Sequence, residues 1–121
     1  MTNVILMKST MTIYVERIER IKESARLTQE DVGKIVGASP RTVARWAAGD
    51  NMPRGASRQR LLELAAIAQQ IAKVMKPDAA GAWLYEPNPL LRNQKPADLV
   101  AQGRYQEVLD LVDALADGVF V

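Results

Sequence analysis

The chain of 121 residues is 48% hydrophobic but only 5% aromatic, which allows one compact domain or two very small ones. It holds no cysteine and no histidine, which excludes disulfides, Ser-His and Cys-His nucleophiles and the common zinc sites. The net charge of +2 conceals an asymmetry: residues 1–76 carry 13 Lys and Arg against 7 Asp and Glu, and residues 77–121 carry 3 against 7. A basic half suits a polyanion through counterion release; an acidic half suits another protein.

Residues 1–10 show no clear period and are expected to fray. Tyr14, Ile18, Ile21 and Ala25 then step by four, three and four, which predicts an amphipathic helix from about Thr12 to Ala25. In the stretch TQEDVGKIVGASPRTVARWAAG, Thr28 is a good N-cap, and Glu30 and Asp31 suit the positive end of a helix. Val32, Ile35 and Val36 supply its apolar side. Gly33 is small where a second helix crosses closely, and Gly37 supplies the left-handed stop. Ser39-Pro40 starts a second helix with a cap and a pre-set backbone angle. On it, Val43, Trp46 and Ala47 fall on an inward face, and Arg41, Thr42, Ala44 and Arg45 on an outward one.

Such a pair reads as a helix-turn-helix, with the outward face able to reach base edges and phosphates. Gln29, Ser39, Arg41, Thr42 and Arg45 are the expected DNA-binding residues. Five arginines and one acid, Asp50, lie between Arg41 and Arg60. One motif of this kind reads one half-site, so a homodimer is expected.

GDNMPRG (49–55) reads as a loop. Ser57 is expected to cap a helix of about 18 residues, with Leu61, Leu64, Ala65, Ala68, Ile71, Ala72 and Met75 inward and Leu62 and Ile67 widening the stripe. Pro77-Asp78 is expected to end that helix and divide residues 1–76 from 77–121. Shorter helices follow. Asp78 to Tyr85 contains Trp83 and Tyr85, expected to be core residues. Glu86-Pro87-Asn88-Pro89 is a rigid turn. Leu90 and Leu91 are expected to pack, and Lys95-Pro96 opens a helix through Val100. Gly103 breaks it. Arg104 to Asp117 forms the last helix, with Tyr105, Val108, Leu109, Val112 and Leu115 inward and Leu111 off that stripe, facing a partner. The chain closes on the apolar Val119, Phe120 and Val121, which suit insertion into a cleft or a dimer mate. Alanine and leucine dominate and strand-type runs are scarce, so the expected class is all-α. Each acidic residue is expected on a helix surface or at a cap, which leaves no catalytic residue, metal or cofactor. No signal peptide and no bilayer-spanning run is evident, so the expected location is cytoplasmic, without membrane contact.

The spacing of Gly33, Gly37 and Val43 with Trp46 resembles the Xre-type helix-turn-helix. AWLYEPNPLL, KPADLV, Gly103 and VLDLVDALADGV resemble the C-terminal toxin-binding domain of the MbcA/ParS/Xre antitoxins, in which an Xre-like helix-turn-helix precedes that domain. Trp83, Asn88, Pro89, Leu90, Pro96, Leu99 and Gly103 match its motif. Together the two resemblances cover about residues 12–121. They imply an antitoxin that neutralises a RES-domain, NAD-consuming toxin in a larger hetero-oligomer and represses its own promoter at operator DNA. Trp83, Asn88, Pro89, Leu90, Arg92, Leu111, Val119, Phe120 and Val121 are the expected toxin contacts, with the last three at the toxin's active-site entrance. One departure stands out: Arg92-Asn93 replaces a glycine frequent in the family, and Asn93 is able to take the left-handed conformation. The residues alone leave a second reading open, a stand-alone repressor whose C-terminal half dimerises or senses a ligand.

Overall fold

The computed structural model describes residues 2–118, with side chains from residue 10 onward. Its helices are α1 (Thr2–Ala25), α2 (Gln29–Val36), α3 (Pro40–Ala48), α4 (Gly55–Ile71), α5 (Pro77–Tyr85), α6 (Pro96–Ala101) and α7 (Tyr105–Ala116), with a 3-10 turn at Pro89–Leu91. The fold is all-α, as expected; the only strand-like pairing among the described residues is an isolated bridge between Asn88 and Gln94.

α1 packs on α4 and α3 through the buried Tyr14, Ile18, Ile21 and Ala25. It starts at Thr2 rather than near Thr12. Lengthening an existing helix needs only residues of adequate propensity, such as Leu6, Met7 and Lys8, and no amphipathic stripe. The start of α4 also departs from expectation. Arg54 is its N-cap, without a side-chain cap bond, and Gly55 turns the chain into the helix at φ 57°. Ser57 lies inside the first turn. At the other end α4 stops at Ile71, and Pro77 opens α5 instead of closing α4.

Leu61, Leu64, Ala65, Ile67, Ala68 and Ile71 of α4 are buried, whereas Ala72 is exposed. Leu84, Leu99, Val108 and Val112 from the C-terminal helices join them in one core with Val32, Val43 and Trp46. α4 carries much of that continuity, lying against α1, α2, α6 and α7.

Glu63 corrects the expectation that every acid lies at a surface or a cap: it is 7% exposed. Arg60 donates to it at 2.9 Å and Gln59 at 3.1 Å, the pairing a buried carboxylate requires. The Arg60 guanidinium continues under Gly103, where a Cβ would lie 2.6 Å from Nη2. Glycine at φ 84° therefore both turns the chain between α6 and α7 and leaves room for this arginine.

α5 clamps the α1–α2 junction. A Cβ on Gly81 would lie 2.6 Å from the Ala25 carbonyl oxygen, and Arg26 pairs with Asp78 at 3.4 Å across the exposed edge. Tyr85 is half-buried beside Asp31, its hydroxyl buried without a well-directed hydrogen bond. Burial first, then the negative charge of Asp31, pushes its pKa up to about 12. No helix among the described residues is long and apolar enough to cross a membrane.

Candidate DNA-binding and partner-binding surfaces

The α2–α3 pair is fixed by local chemistry at each end. The Asp31 amide donates to Thr28 Oγ1 at 3.1 Å, and the Thr28 amide donates to Asp31 Oδ2 at 2.9 Å, a reciprocal capping box. Gly37 closes α2 at φ 80°, its amide donating to the Gly33 carbonyl at 2.8 Å. Gly33 itself is buried so close to the Ala38 carbonyl that a Cβ would collide with it. The tight turn therefore needs two glycines for different reasons, one for conformation and one for space.

Ser39 caps α3 by accepting from the Thr42 amide at 3.1 Å, and its hydroxyl donates to Thr42 Oγ1 at 2.9 Å. Val43 is fully buried and Trp46 is 4% exposed, which sets the roll of the helix. Arg41 and Arg45 are thereby turned to solvent, one helical turn apart, with Thr42 and Ala44 half-exposed between them. Neither arginine is in an ion pair among the described residues. Gln29, half-buried, opens α2. The expected DNA-binding residues thus all belong to α2, α3 or the turn between them, although Ser39 and Thr42 spend hydrogen bonds on capping. Arg54 and Arg58, exposed at the start of α4, extend the set of free cations beyond the residues singled out in the sequence.

The second surface is built by the 3-10 turn and α7. Asn88 accepts the Leu90 amide at 2.9 Å through Oδ1, while its carbonyl accepts from Leu91 at 2.9 Å and Asn93 at 2.8 Å. Pro89 occupies the first position of the turn. Arg92 and Asn93 then both take left-handed angles, φ 58° and 62°, so the turn is crossed by two non-glycine residues in a conformation that favours glycine. Arg92 reaches Glu107 at 2.9 Å, and Arg104 donates to the same carboxylate at 2.6 Å. The Arg104 hydrogen bond, ahead of the two positive charges, holds the Glu107 carboxyl below the usual carboxylate range.

This turn splits the two leucines. Leu91 enters the core, whereas Leu90 is 59% exposed, so only one of the pair packs. Leu111 corrects the expectation in the other direction. It is 7% exposed and completes the buried stripe with Val108 and Val112, while Tyr105, Leu109 and Leu115 are only partly buried. Spacings of three and four around Val108 place Leu111 inward. Its remaining edge, with Leu90, Leu91, Glu107, Asp110 and Ala114, lines an open cleft of 370 Å³. Among the expected partner contacts, Leu90 and Leu111 line the cleft, and Arg92 is tied to it only through its ion pair with Glu107. Trp83, half-buried against the core, does not line the cleft, and Val119, Phe120 and Val121 lie outside the described residues. Glu107, Asp110 and Ala114 were not singled out from the sequence; their spacing of three and four beside Leu111 is the signal that marks one helix face.

Residues 70–118 match the model of the antitoxin Xre/MbcA/ParS C-terminal toxin-binding domain. The mycobacterial cidal antitoxin MbcA of Mycobacterium tuberculosis is 49% identical over 116 residues, which are 96% of this chain and 96% of that protein. The chain belongs to the Xre/MbcA/ParS antitoxin family. MbcA of Mycobacterium bovis is equally similar, and a probable mycobacterial cidal antitoxin of M. tuberculosis is 34% identical over 78% of this chain and 81% of its own length. The crystal structure of the M. tuberculosis MbcT–MbcA toxin–antitoxin complex contains a chain that superposes with a TM-score of 0.81 at 50% identity, covering 88% of this chain and 96% of that one. The cleft beside Leu90 and Leu111 lies within the matched toxin-binding segment, and the α2–α3 pair lies before it.

Proposed function

We propose that this protein neutralises a RES-domain, NAD-consuming toxin through its C-terminal segment and represses its own operon through α3. The observation that carries the toxin reading is similarity over 96% of the chain to MbcA, together with an MbcA chain solved in complex with the toxin MbcT. The exposed Leu90 and the cleft it lines supply an apolar contact, and the Asn88 turn holds that leucine in place. Arg92 stands at the rim, already oriented by Glu107. Val119, Phe120 and Val121 are an apolar segment suited to the entrance of a cleft that admits NAD. Inhibition of this kind blocks access and needs no catalytic group from the antitoxin.

For the operator, Arg41 and Arg45 are the residues assigned to base edges, with Gln29, Ser39 and Thr42 at the phosphates. A guanidinium reads guanine through two parallel hydrogen bonds, a geometry that requires a solvent-facing side chain on a fixed helix. Two copies on half-sites about 34 Å apart would match one turn of DNA. The test is co-purification with the product of the adjoining reading frame, followed by NAD consumption with and without the antitoxin. A stable complex in which NAD loss stops supports the proposal. Operator binding with no captured toxin would leave the stand-alone repressor as the function. Removing residues 119–121 tests the entrance contact: inhibition should weaken while the complex persists, and full inhibition would reject it.

A further inference from the structure

The α7 helix has a charge pattern that its own fold does not answer. Its sequence, YQEVLDLVDALA, contains no basic residue, and its C-cap is Asp117. Glu107 is neutralised by Arg92 and Arg104. Among the described residues Asp110 accepts only from the uncharged Gln106, at 2.8 Å, and Asp113 and Asp117 are in no ion pair. At about 100° per residue, Asp110, Asp113 and Asp117 fall within about 60° of one another on the helix. That strip runs beside the cleft floored by Leu111 and flanked by the exposed Leu90.

Two features make the strip unfavourable in the free protein. The three carboxylates repel one another at spacings of three and four. Asp113 and Asp117 also sit at the end of α7 where the helix dipole is already negative. A surface of this kind is relieved by a cationic partner, and the cleft beside it offers room for an apolar side chain.

We infer that the strip and the cleft form one docking surface for the toxin, and that the toxin face it meets presents a large apolar side chain flanked by lysine or arginine. This rests on the toxin-binding reading and adds the chemistry of the partner's surface and the kinetic role of each part. The carboxylates steer the encounter, since long-range attraction between complementary surfaces acts mainly on the association rate. The cleft governs release, because apolar contact is made only after docking.

The experiment uses the full chain and the toxin from the adjoining reading frame, with association and dissociation rates measured at 50 and 500 mM NaCl. Wild-type association should fall about tenfold or more across that range. The triple variant Asp110→Asn, Asp113→Asn, Asp117→Asn should associate about tenfold more slowly at 50 mM, lose most of the salt dependence and keep its dissociation rate. All three residues are at least partly exposed, and a thermal melt confirms the fold. Leu90→Ala should do the reverse, raising dissociation with little change in association. An unchanged association rate and salt slope in the triple variant would overturn the inference while leaving toxin binding intact. A change confined to the antitoxin's own oligomeric mass would assign the strip to self-association and reject it too. No toxin binding by the wild type would reject the toxin reading itself, and this inference with it.

Discussion

Replacing Trp46 with alanine separates the two faces of α3 most sharply. The indole is 4% exposed and packs in the same core as Tyr14, Ile18 and Leu61, so Trp46→Ala deletes a large buried side chain and leaves a cavity the neighbours fill only partly. Substitutions of this kind cost about 3–5 kcal/mol. For a chain of this size each kcal/mol corresponds to roughly 3–6 °C in melting temperature, so a fall of about 10–30 °C is expected by far-ultraviolet circular dichroism. Arg41→Ala and Arg45→Ala, on exposed residues without ion pairs among the described residues, should melt within about 2 °C of wild type, because surface substitutions stay within about 0.5 kcal/mol. Fluorescence anisotropy on the upstream operator should show the complementary result, with each arginine variant losing about 1–3 kcal/mol of binding if it reads a guanine edge. A Trp46→Ala protein that melts normally but no longer binds DNA would refute the assignment of faces. Unaltered operator binding by the double arginine variant would refute the assignment of α3 to the groove.

Gly33→Ala should destabilise by about 1–3 kcal/mol, since the new methyl meets the Ala38 backbone carbonyl rather than a side chain able to rotate away; a chemical melt within 0.5 kcal/mol of wild type would show that the turn yields. Arg92→Gly should be neutral or stabilising by up to about 1 kcal/mol, because glycine removes the left-handed penalty at φ 58° while adding chain entropy to the unfolded state. A loss above about 1.5 kcal/mol would mean that the contacts of Arg92 hold the turn together. Tyr85 keeps its proton in the folded state up to about pH 12, whereas the unfolded chain releases it near the ordinary value of 10.0. Its contribution therefore disappears as pH rises from the unfolded value toward the folded one. Tyr85→Phe should flatten the alkaline decline over that window and melt no lower than wild type below pH 9, and a decline as steep as wild type would reject the cause.

The caps and turns of α2, α3 and the Asn88 segment were legible from the sequence because each depends on a few adjacent residues, whereas the cap expected at Ser57 was not found. Thr28 with Asp31, Gly37, Ser39-Pro40 and the Asn88 turn are found where their local chemistry places them. The inward side of α3 was legible for a related reason, since Val43 and Trp46 have a single apolar solution. Features set by distant partners were not. Glu63 has its partners Gln59 and Arg60 within one turn of its own helix, but its burial depends on the helices packed against α4, which no window along the chain reveals. Leu111 was assigned outward because five other residues in its helix also fitted a stripe, and only the packing of α4 on α7 decides among them. Leu90 and Leu91 are adjacent and chemically identical; the Asn88 side chain, by fixing the turn, sends one out and one in.

The continuity of the core also shapes how the two proposed activities are best separated. Leu84, Leu99, Val108 and Val112 pack with residues of α1 and α4, so deleting residues 77–121 would strip the core along with the partner surface. Point substitutions on exposed residues avoid that confusion. The most direct measurement is growth of cells producing the toxin captured by co-purification, rescued by either Arg41→Ala/Arg45→Ala or Leu90→Asp, with promoter repression read in the same cells. The arginine variant should rescue growth but fail to repress, and the folded Leu90→Asp protein should repress but fail to rescue. Rescue by Leu90→Asp at the wild-type level, or loss of rescue in the folded arginine variant, would contradict two separate binding surfaces on one antitoxin.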